Sequence, residues 1–95
     1  MVHEVILNRL EHELFVLFKE LVGNDRELVE VWDTSPILWG VVTMPLECYK
    51  GVLDSEILDK LTKTTFCYDY AVTRFGFGGD SETLVLSMDL EKKDN

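Results

Sequence analysis

The sequence predicts an α+β domain in which two helices pack on an antiparallel sheet, in the order helix, strand, strand, helix, strand, strand. Three observations predict it. Leu7, Leu10, Leu14, Leu17 and Leu21 recur at spacings of three and four residues, which places them on one stripe of a helix. Ile37-Leu38-Trp39-Gly40-Val41-Val42-Thr43-Met44, between Pro36 and Pro45, is apolar at nearly every position, as a strand with hydrophobic side chains on both faces of a sheet would be. Thr83 to Leu90 alternates, with Leu84, Leu86, Met88 and Leu90 inward and Thr83, Ser87 and Asp89 outward, the period of a half-buried strand.

The first helix is read from Val2 to Val22. Phe15, Phe18 and Val22 widen its apolar stripe in the second half, and Gly23-Asn24 supplies a pair able to take the left-handed conformation that stops a helix. Arg26 to Thr34 reads as a strand in which Leu28, Val29, Val31 and Trp32 are interleaved with Glu27, Glu30 and Asp33. Thr34-Ser35-Pro36 is a turn signal, and so short a connection favours an antiparallel pair with the apolar strand that follows. Pro45 lacks a backbone donor and ends that ladder at Met44.

Asp54 is placed to cap the second helix, with Leu53 and Leu58 at staple positions and Ile57, Leu58 and Leu61 on the apolar face. Glu56 near its start and Lys60 and Lys63 near its end suit the helix dipole. Phe66 to Phe77 is the third strand, with Phe66, Tyr68, Tyr70 and Val72 on one face and Cys67, Ala71, Thr73, Phe75 and Phe77 on the other. Gly78-Gly79-Asp80-Ser81 is a hairpin loop before the last strand, and Glu91 to Asn95 reads as a frayed tail.

Residues 1–95 form a single domain, and a chain of 95 residues buries only about 60 to 65% of the surface its unfolded form exposes. A hydrophobic content of 46% is generous for so small an interior. With both helices on one side, the other face of the sheet keeps Trp39, Val41 and Thr43 or their neighbours exposed, together with Tyr68, Tyr70 or Phe75, a patch that soluble monomers rarely carry. A homodimer covers it, with or without exchange of strands.

The formal charge of −9, from 18 acidic and 9 basic residues, opposes direct binding to nucleic-acid phosphates, where affinity comes from Lys and Arg. No run approaches the ~20 apolar residues that span a bilayer, and no signal peptide is read, so the expected location is the cytoplasm. Cys48 and Cys67 read as reduced, buried and inert.

His3, His12, Cys48 and Cys67 have the count of a zinc site but none of its spacings, so neither metal nor cofactor is expected. Glu11-His12-Glu13 suggests an acid/base cluster, yet successive helical residues point about 100° apart, which makes a solvated face the reading. Phe75-Gly76-Phe77-Gly78-Gly79-Asp80 follows a strand but precedes another strand, without the helix that a phosphate loop requires. No stretch carries the motif of a known family.

The expected role is therefore a non-catalytic acidic homodimeric module for a basic protein partner, with Glu27, Glu30 and Asp33 as the contact surface and Trp39, Tyr68 and Tyr70 in the core. One alternative is a small-ligand protein or enzyme whose pocket forms at the dimer interface around Tyr68, Tyr70 and Cys67. Another is a mimic of DNA whose carboxylates occupy a nucleic-acid-binding protein.

Overall fold

A computed structural model of the chain describes residues 4–23, 26–48 and 55–93. Among these residues, two helices lie on one face of a four-stranded antiparallel sheet. In chain order the elements are α1 (Glu4–Val22), β1 (Leu28–Asp33), β2 (Leu38–Pro45), α2 (Ser55–Lys63), β3 (Tyr70–Gly79) and β4 (Thr83–Lys92). The strands are ordered β1-β2-β4-β3, so the apolar strand and the alternating strand are neighbours at the centre.

Leu10, Leu14, Phe18 and Val22 form the buried stripe of α1. The expected seam through Leu7, Leu17 and Leu21 only flanks it, because a stripe of period four drifts toward Phe18 and Val22 over the second half. Gly23, at φ +85°, donates its N–H to the Lys19 carbonyl at 2.9 Å and closes the helix. Asn24, Asp54, Leu53 and His3 lie outside the described residues. Leu61 is the buried residue of α2, which packs beside β3.

Leu38, Val42 and Met44 of β2 and Leu86, Met88 and Leu90 of β4 are all but fully buried beneath α1. They share a face because Leu38 pairs with Leu90, Gly40 with Met88 and Val42 with Leu86. Gly40 lets the helix settle there: a Cβ at this position would stand 3.0 Å from Met88 Cγ and 3.5 Å from Leu14 Cδ1. The inward set of β4 is the one its alternation predicts.

β3 differs from its sequence reading in two ways. It starts at Tyr70, because Cys67–Asp69 is a 3-10 turn in which Tyr68 and Asp69 have φ of 58° and 65°. This left-handed conformation turns the chain back so that Thr65 bridges to Ala71. The second difference is a bulge at Thr73: Val72 pairs with Leu90, but Arg74 pairs with Asp89. One extra residue inverts the alternation, so Phe75 and Phe77 join Val72 on the helix side. There they are 39% exposed and meet edge to face at 6.0 Å.

The expected tail is also shorter, since Glu91 and Lys92 continue β4 opposite Ala71 and Tyr70. Pro45 is the last residue of β2. No helix among the described residues is long and apolar enough to cross a membrane.

Candidate binding surface

The face of the sheet turned away from both helices is built from alternate residues of all four strands, and the register sorts them into rows. Trp32 of β1 stands opposite Trp39 of β2, Trp39 opposite Asp89 of β4, and Asp89 opposite Arg74 of β3. The next row is Glu30, Val41, Ser87 and Gly76, and the next Leu28, Thr43, Val85 and Gly78. Three large apolar side chains here are open: Leu28 is 60% exposed, Trp32 53% and Trp39 42%. Two adjacent tryptophans with an arginine in the same row are the residue types that dominate protein interfaces.

The relief of this face follows from its composition. Leu28, Glu30 and Trp32 raise the β1 side, whereas Gly76 and Gly78 leave the β3 side without side chains. Between Trp39 and Arg74, above Gly76, Ser87 and Asp89, lies a shallow hollow of about 150 Å³.

The three acidic residues singled out in the sequence do not share a surface. Alternation puts Glu30 on the open face and Asp33 on the other, where it pairs with Leu38 and accepts the Ser35 N–H at 3.0 Å and hydroxyl at 2.5 Å. Glu27, just before β1, is only 6% exposed, and neither carboxylate oxygen has a hydrogen-bond partner among the described residues. Trp39, expected in the core, is on the open face, and Tyr68 is 46% exposed in its left-handed turn. Tyr70 alone of the three is buried.

Glu11 and Glu13 are not a solvated face. Being about 200° apart around α1, they reach opposite sides, where Glu11 accepts the Val31 N–H and Glu13 the Cys67 N–H, each at 3.1 Å. Both carboxylates serve as buttresses to neighbouring backbone. Burial pushes the Cys67 thiol up to about 11, and the hydrogen bond to Glu13 with that carboxylate's charge acts in the same direction. A thiol held protonated is a poor nucleophile.

The two cysteines are half-buried, less enclosed than the sequence suggests. Arg26, within 3.5 Å of Cys48 Sγ, donates to Glu47 at 2.7 Å, which raises the guanidinium further above its ordinary value. Among the described residues no three His, Cys, Asp or Glu side chains converge as a metal would require.

The remaining acidity lies elsewhere. Glu4, Glu20, Glu56 and Asp59 are exposed on the helices, and Glu47, Asp80 and Glu82 are exposed at the end of the sheet formed by the β3–β4 hairpin. There Pro45, Leu46, Glu47, Ser81 and Glu82 line a cavity of about 570 Å³.

Sequence reasoning missed Arg74 and the cross-strand row it completes. The spacing of Arg74, Gly76 and Gly78 at alternate positions was its available signal, obscured by the bulge. Compared with known proteins, the chain matches no family model, no curated protein and no solved structure.

Proposed function

We propose that the chain is a non-catalytic acidic binding module that works as a homodimer and takes a basic protein as its partner. The supporting observation is the separation of two surfaces. The open face of the sheet gathers Trp32, Trp39 and Leu28 with few charges, while exposed carboxylates populate the helices and the hairpin end. An apolar face suits association with its own kind, and an acidic exterior attracts a cationic partner at rates that salt reduces.

The rival small-ligand reading has less support than the binding module. Tyr70 is in the core, Tyr68 lies in a turn, and the Glu13 carboxylate accepts the Cys67 N–H.

A tagged chain incubated with source lysate at low salt and eluted with stepped NaCl tests the proposal. One basic protein retained in stoichiometric amount and released by ~0.3 M salt, where screening of exposed charges is strong, is the expected result. An empty eluate, or a partner indifferent to salt, overturns the electrostatic module.

A further inference from the structure

We infer that the open face of the sheet is occupied by a second copy of this chain, packed face to face about a two-fold axis that runs parallel to the strands between β2 and β4. This assigns the surface for the homodimer proposed above and rests on that part of the reading.

The glycines carry the argument. Gly76 and Gly78 lie inside β3 on the open face, and neither has the positive φ that would require glycine. A Cβ at Gly78 would meet nothing within 4 Å, and one at Gly76 only Ser87 Oγ, at an ordinary 3.8 Å. Nothing among the described residues calls for glycine at either place, and glycine in a strand interior weakens the strand. Close approach by another molecule gives both a purpose.

The proposed axis carries β1 of one copy over β3 of the other, and β2 over β4. Leu28 then stands above Gly78 of the second copy and Glu30 above Gly76, so the high side of each face fills the low side of its mate. In the remaining row Trp32 lies over Arg74 of the second copy, a cation against an aromatic face, and Trp39 lies over Asp89, a carboxylate within the compass of an indole N–H. Arg74 and Asp89 form no ion pair with each other or with other described residues, which leaves both available.

Charge agrees with this occupant. The three rows hold Glu30, Asp89 and Arg74, a balance of −1, on a chain of −9. Two such chains meet with little repulsion only where the acidity is thin. A basic partner would be drawn to the carboxylates outside this face.

Sedimentation equilibrium of size-swap variants tests the assignment. Gly78→Phe should raise the dimer dissociation constant about 100-fold, the scale of losing a central anchor, with an unchanged far-UV spectrum because its side chain has room in the single chain. Leu28→Ala added to the same chain should recover at least about tenfold of that loss, although residues 28 and 78 are three strand spacings, about 14 Å, apart within one copy. Coupling over such a distance must pass through the interface. A wild-type dimer that Gly78→Phe leaves intact, or a loss that Leu28→Ala does not recover, overturns the face and points to another surface, such as the outer edge of β3. A monomeric wild type overturns the homodimer as well, and the salt-eluted partner then reports on the electrostatic module alone.

Discussion

The carboxylate of Glu11 accepts the backbone N–H of Val31 at 3.1 Å, so a side chain from α1 stops part of the outer edge of β1. An unpaired edge N–H is a template for another strand, and this bond removes one such donor. Glu11→Ala should lower the unfolding free energy by about 1.5–3 kcal/mol, the range for a hydrogen bond to a charged group. Glu11→Gln, which keeps an acceptor, should lose less. Urea denaturation of the two variants checks this, and equal losses would contradict the role of the bond.

Glu27 is buried, and both carboxylate oxygens lack a partner among the described residues, an arrangement that destabilises a fold. Replacing it with Leu or Gln should therefore stabilise the protein, by roughly 1–3 kcal/mol for Leu. A rise in the thermal midpoint is the expected outcome. A fall would show that the carboxylate is put to use in the folded protein.

The Cys67 thiol, raised from 9.0 to about 11 chiefly by burial and then by Glu13, gives a pH dependence of definite sign. Folding favours the protonated thiol, so its contribution to stability is complete below pH 9 and is lost as pH rises toward about 11. Alkylation of Cys67 at pH 8 should be slow in the folded chain and fast in urea. Glu13→Gln keeps an acceptor but removes the charge that helps to hold the proton, and should accelerate the folded-state reaction. An unaltered rate would mean that access alone limits it.

Gly79, next to Gly78, is indispensable to the hairpin. Its φ is +128°, and a Cβ there would stand 2.0 Å from the Thr83 carbonyl oxygen. Asp80 completes the turn by accepting the N–H groups of Glu82 and Thr83 at 2.8 and 2.9 Å. Gly79→Ala should cost about 3 kcal/mol or more, since backbone strain and a backbone clash combine. Gly78→Ala should leave the fold of the single chain as stable or more so, and chemical denaturation of the pair measures the contrast.

Much of this fold is legible in the residues because period reports burial directly. The run from Leu38 to Met44 reads as a strand with two apolar faces, and its even-numbered residues are buried under α1 while Trp39, Val41 and Thr43 remain half-open on the other side. The alternation of Leu84 to Leu90 is equally plain. What fails is whatever a single residue can invert. The bulge at Thr73 moves Phe75 and Phe77 to the opposite face, and two left-handed residues at Tyr68 and Asp69 shorten the strand.

The candidate surface was harder to read than the fold. That the non-helix face is open follows from counting helices, but the row of Trp32, Trp39, Asp89 and Arg74 exists only because β2 lies between β1 and β4. Strand order depends on pairings distant in sequence, which periodicity does not encode. Glu27, Glu30 and Asp33 are near one another in the chain, and the two-residue period of a strand parts them. Glu11 and Glu13 looked solvated because their acceptors are backbone groups that only the tertiary fold brings within reach.

The mass of the wild-type protein in solution, followed by light scattering across a range of concentrations, reports on the face-to-face dimer without any substitution. Twice the 11.0 kDa chain mass is the expected result, with dissociation favoured by Gly78→Phe. A mass of one chain at every concentration would contradict it, leaving Trp32 and Trp39 exposed on a monomer.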